Sequence, residues 1–84
     1  MEINLDVSML EPCEPLERTL EAIRNLAPGD YLRVIHRREP KMLFPLLQKA
    51  GFDWHCLERE QDLYNIYIWR RGDDAAEAEM KENA

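Results

Sequence analysis

Ile3, Leu5 and Val7 alternate with Glu2, Asn4 and Asp6, the period of a strand buried on one face. From Leu16 the period changes. Leu16, Leu20, Ile23 and Leu26 recur at helical spacing, while Glu17, Arg18, Glu21 and Arg24 fill the other side. Pro15 fits the first turn of this helix, where its missing N–H has no partner to lose. Pro28-Gly29-Asp30 is a turn signal that ends it.

Tyr31 to His36 is rich in β-formers and only partly alternating, and reads as a second strand. A polar stretch, His36-Arg37-Arg38-Glu39-Pro40, leads into Met42-Leu43-Phe44-Pro45-Leu46-Leu47. Pro45 would break a helix interior, so the second helix is expected to start near it, after an irregular turn, and to end at Gly51. Phe52, Trp54 and Cys56 alternate with Asp53 and His55 in a third strand. A charged connection over 58–62 leads to a fourth, Leu63 to Trp69. Tyr64, Ile66 and Ile68 share one face of it; Asn65, Tyr67 and Trp69 share the other. The order β-α-β-α-β-β predicts an α+β fold, a two-layer α/β sandwich with two helices on one face of a four-stranded mixed sheet.

At 84 residues with 45% apolar side chains, the chain has material for one small core. Its charge is uneven. Asp73, Asp74, Glu77, Glu79 and Glu82 face Lys81 alone, so four of the six net negative charges lie in 73–84. With Met80 the only large apolar side chain there, this segment is expected to be an acidic, disordered or partly helical tail following a folded domain over residues 2–71. The two aromatics Tyr67 and Trp69 would then lie on a half-exposed sheet face offered to a partner, or be covered by the chain's own tail or a second copy.

Net acidity argues against a general nucleic-acid or membrane-surface binder. Met1-Glu2-Ile3-Asn4 lacks the basic start of a secretory signal, and no apolar run has the length of a membrane span, so the expected location is the cytoplasm. Free thiols are then expected for Cys13 and Cys56. No recognised zinc spacing links these cysteines with His36 and His55, and no metal is expected.

Cys13 is the one candidate for chemistry. It stands in Pro12-Cys13-Glu14-Pro15 at a predicted helix entrance, where unpaired N–H groups favour a thiolate. Cys56, sharing a strand face with Phe52 and Trp54, reads as structural. A second candidate surface combines Glu14 with His36, Arg37, Arg38 and Glu39. Both segments precede helices and are expected at one edge of the sheet, where α/β folds often place ligand-contacting groups.

Leu5-Asp6 with Leu10, Pro12-Cys13-Glu14-Pro15, Ala27-Pro28-Gly29-Asp30, Arg38-Glu39-Pro40, Pro45 and Ala50-Gly51 together resemble the TusA-like (SirA-like) sulfur-carrier proteins. Leu10-Glu11-Pro12, Glu14-Pro15-Leu16-Glu17, Arg38-Glu39-Pro40 and Phe44-Pro45-Leu46-Leu47 are more closely similar to a bacterial relative of that group, the domain-of-unknown-function family 2249. The resemblance covers the folded domain. TusA-like carriers use a Cys-Pro-x-Pro motif whose cysteine receives a persulfide sulfur. Aligning Pro15 with its second proline puts Pro12 where the carrier cysteine belongs and Cys13 one place later. The resemblance therefore implies an accessory or interaction domain of sulfur or redox metabolism, without catalysis or cofactor and with another protein as partner. The alternative it implies is a persulfide carrier that uses Cys13.

Overall fold

The computed structural model describes residues 1–10, 14–60 and 62–84. Cys13, Pro12 and Glu11 lie outside the described residues, as does Gln61. The elements are β1 (Glu2–Asp6), α1 (Glu14–Arg24), β2 (Tyr31–His36), α2 (Leu43–Ala50), β3 (Phe52–Glu58), β4 (Tyr64–Arg70) and α3 (Asp74–Asn83). The four strands form one mixed sheet in the order β1-β2-β4-β3. β1 runs parallel to β2 with Leu5 opposite Val34, while β4 is antiparallel to both β2 and β3.

One face of the sheet holds the main core. Leu32 and Val34 of β2, Ile66 and Ile68 of β4 and Phe52 of β3 pack with Ile23 and Leu26 from the α1 side and Leu43 and Leu47 of α2. Within α1 the fully buried line is Pro15, Thr19 and Ile23, and the expected stripe residues Leu16 and Leu20 are only half-buried. The helix is therefore rolled so that its most buried side runs through Thr19, at 1% exposure. α2 starts at Leu43, two residues before Pro45, which occupies the first turn, where an N–H would be unpaired. Gly51 ends α2 in the left-handed region at φ 89°, and its N–H reaches the carbonyls of Gln48 and Leu47.

Two arginines that follow β4's core residues secure the helix ends. Arg70 donates to the Leu26 carbonyl at 3.0 Å, and its guanidinium lies 5.2 Å from the centre of the Phe52 ring. Arg71 donates to the carbonyls of Gln48 and Phe52, placing a cation beside the negative end of α2.

The opposite sheet face corrects the expected tail. Residues 74–83 are helix α3, not a disordered segment, and α3 covers Tyr31, Tyr67 and Trp69 with Ala76 and Met80. Of the alternatives for the aromatic face, the chain's own C-terminal segment is its cover. The molecule thus has three layers of secondary structure, with two helices on one side of the sheet and one on the other. Burial on both faces also explains why β2 and β4 lack a clean alternation: Tyr31 and Leu32 are both fully buried, as are Tyr67 and Ile68.

A specific cap places α3. The Asp73 carboxylate accepts from the Ala76 N–H at 3.1 Å and from the N–H of Gly29, in the α1–β2 turn, at 2.8 Å. These bonds hold its carboxyl below the ordinary value of 3.8. Because the folded pKa is the lower one, the stabilisation is complete above the unfolded value and fades as pH falls through the folded one. Asp73→Asn is expected to lower the urea midpoint at neutral pH, and to lose less than the wild type on acidification to about pH 3. Equal acid sensitivity in both proteins would show that this cap carries no pH dependence.

Candidate functional site

β1 and β2 are parallel, so their C-terminal ends emerge on the same side of the molecule. Beyond β1 the Val7 N–H still pairs with the Ile35 carbonyl at 2.9 Å. Ser8 then turns back on Asp6, whose carboxylate accepts from its N–H at 2.9 Å and its hydroxyl at 2.6 Å. These two bonds form an Asx turn. Beyond β2, His36 turns similarly: the Arg38 N–H donates to His36 Nδ1 at 3.0 Å. That bond places the proton of a neutral imidazole on Nε2. Half-burial lowers the His36 pKa from 6.5, and the Arg38 cation lowers it further, so the ring favours its neutral form.

Beside the His36 turn, between the start of α1 and the β2–α2 loop, lies a groove of about 510 Å³. The start of α1 supplies one wall with Pro15, Leu16 and Thr19, and the β2–α2 loop supplies the other with His36, Arg38, Pro40 and Met42. Glu17, Glu39 and Lys41 stand among the lining residues, so charge of both signs borders an apolar floor. Met42 is 80% exposed and Met9, in the β1–α1 connection, is 82% exposed. Of the two only Met42 lines the groove, where an exposed methionine is an adaptable contact group.

The loop Arg37–Pro40 also borders a second, more polar cleft of about 660 Å³, which Arg37, Arg38 and Glu39 share with Asp62, Leu63 and Tyr64. The carboxylates of Glu58, Glu39 and Asp62 raise the Tyr64 pKa, so its hydroxyl stays protonated at neutral pH.

Of the residues singled out from the sequence, the groove brings together His36, Arg38 and Glu39 with the residues that follow Glu14. Glu14 itself is exposed at the first position of α1 and does not line it, and Arg37 faces the second cleft. Cys13 lies outside the described residues. Thr19, Pro40 and Met42 were missed by sequence reasoning. Thr19 carried a signal, four residues after Pro15 and four before Ile23; Met42 carried none, because an apolar residue ahead of a helix reads as core.

Cys56 is a free, half-buried thiol on the main-core face, opposite Ile66, while His55 points to the α3 face opposite Tyr67. Nearby, Trp54 stacks on Phe44 with ring centres 5.3 Å apart. Desolvation raises the Cys56 pKa and the Glu39 charge adds to it, which suits a packing role over a nucleophilic one. Among the described residues no group of three or more His, Cys, Asp or Glu side chains converges to hold a metal ion. Nor is any described helix long and apolar enough to cross a membrane.

A small open mixed sheet with helices on both faces and a groove at the end of its parallel strands defines a compact α+β domain. Residues 4–70 match the family described as "Uncharacterized conserved protein (DUF2249)", and the chain belongs to that family. The matched segment contains the whole sheet core and the groove and stops before α3. No curated protein and no solved structure matches the chain significantly.

Proposed function

We propose that this chain is a non-catalytic interaction module of sulfur or redox metabolism that receives a side chain of a partner protein in the groove between α1 and the β2–α2 loop. The observation that carries this reading is the groove itself. It lies at the C-terminal ends of the parallel strands, its floor is apolar, and Met42 is exposed on its rim. The metabolic setting rests on the resemblance of Pro12-Cys13-Glu14-Pro15 and Arg38-Glu39-Pro40 to the TusA-like carriers. His36, Arg38 and Glu39 would orient the partner through polar contacts, while Leu16 and Met42 would supply contact area.

A persulfide carrier using Cys13 is the second reading. One observation favours it: Cys13 directly precedes Glu14, where α1 begins, and the next residues of that helix line the groove. One experiment separates the two. The protein, with a photo-crosslinking residue at Met42, is irradiated in cells, and in parallel the unmodified protein is incubated with a cysteine desulfurase and cysteine. The module reading expects a discrete crosslinked partner that survives Cys13→Ser and disappears with Leu16→Asp. The carrier reading expects a mass gain of one sulfur, mapped to Cys13 and absent from Cys13→Ser. Crosslinking unaffected by Leu16→Asp would refute the groove as the docking surface.

A further inference from the structure

On the α3 face, away from the groove, sits a polar cluster that the fold alone leaves unbalanced. Asn65 is 4% exposed in the interior strand β4, between Ile35 of β2 and Leu57 of β3. A buried carboxamide in such a strand needs partners. With its oxygen facing the neighbouring guanidinium groups, it accepts from Arg33 Nη2 at 3.2 Å and from Arg59 Nε at 3.2 Å. Two cations thus converge on one neutral oxygen.

Compensation is partial. Glu2 lies 3.7 Å from Arg33 Nη1, and the same carboxylate accepts from the Tyr31 hydroxyl at 2.8 Å. Arg59 has no ion pair among the described residues, and the buried Arg33 Nε has no hydrogen-bond partner among them. The cluster is nevertheless open to solvent: the Arg33 side chain is 34% exposed, and Arg59 is exposed. α3 packs over Tyr31, Tyr67 and Trp69, and the cluster lies toward the end of the sheet where β2 finishes.

We propose that Arg33 and Arg59, held at a fixed spacing by Asn65, form a binding site for a small phosphate-type oxyanion. Guanidinium forks suit the several acceptor oxygens of a phosphate, and a doubly charged anion matches two adjacent cations better than a carboxylate does. The net charge of −6 repels anions at long range, so binding depends on these short contacts. The site is independent of the groove and of the reading given above.

The test is a titration of the full chain with inorganic phosphate at constant ionic strength, followed by NMR of the backbone amides and the arginine Nε–H groups, with acetate as a second arm. Saturable shifts are expected at Arg33, Arg59 and Asn65. Arg59→Gln, at an exposed position, is expected to weaken binding at least about tenfold. Asn65→Asp places a permanent carboxylate between the two cations and is expected to abolish binding while leaving the protein folded. Wild-type affinity in Arg59→Gln, shifts confined to Arg37 and Arg38, or a response to phosphate that never saturates would overturn the proposal. So would acetate binding as tightly as phosphate.

Discussion

Ile66→Ala is expected to cost about 2–5 kcal/mol of folding stability, read as a fall in the urea midpoint with an unchanged slope. Ile66 has no exposed surface and lies in β4, which pairs with both β2 and β3; Val34 and Cys56 are its cross-strand partners. Its side chain packs in the cluster that includes Leu43 and Leu47 of α2, so truncation opens a cavity between layers rather than at a margin. Small domains have total stabilities of roughly 5–15 kcal/mol, so a loss at the upper end would unfold much of the protein at room temperature. Ile66→Val, which removes one methyl group, should cost about 0.5–1.5 kcal/mol. A cost for Ile66→Ala below that of Ile66→Val would mean that the two layers collapse freely onto the vacated space.

Met80→Asp is expected to release α3 from the sheet. Met80 is 3% exposed among Tyr31, Tyr67, Trp69 and Ala76. Burying its side chain contributes about 1.5–3 kcal/mol, and Ala76, the other buried apolar anchor of α3, adds less. An unpaired carboxylate in the same place costs several kcal/mol and also removes the contribution of Met80. Swinging α3 away lets that carboxylate reach water. Amides of 74–83 should exchange rapidly with solvent, while those of β2 and β4 remain protected. Trp69 should become exposed, giving a red-shifted fluorescence and binding of an apolar dye. Continued protection of 74–83 in this variant would refute the docking argument. Loss of protection across β2 and β4 would show that α3 is integral to the fold.

These two sites differ in how well the sequence announced them. Ile66 was legible because Leu63 to Trp69 is a short bounded run rich in β-branched and aromatic residues, the composition of a buried strand. Pro15, Pro45 and Gly51 likewise marked helix ends by what their backbones cannot or can adopt. α3 was not legible as a docked helix. Ala76 and Met80, four residues apart, are its only buried anchors, and a lone methionine among acidic residues has the composition of a solvated tail. What holds it lies elsewhere in the chain: the Gly29 N–H, the Tyr31 hydroxyl that accepts from Asn83, and the aromatic face. Local pattern cannot report the Gly29 and Tyr31 partners, which lie more than 40 residues away.

For the candidate site, the expectation of one shared edge followed from topology, since parallel strands deliver their loops to the same end. The detail did not follow. The roll of α1 that turns Thr19 inward is decided by packing against the sheet, as is the direction of Arg37 toward the second cleft. Asn65 is the clearest case. In sequence it is one polar residue in a mostly apolar strand; only the three-stranded register shows it gripped by arginines from either side.

The order β1-β2-β4-β3 leaves the outer edges of β1 and β3 without strand partners among the described residues. Unpaired edges are where sheets of separate molecules join and begin to aggregate. Here β1 carries Glu2 and Asp6, and β3 carries Asp53 and Glu58. An edge-to-edge joining of two copies therefore adds acidic side chains of a second chain to an edge that already carries its own. Acidic side chains on exposed edges act as gatekeepers against such polymerisation.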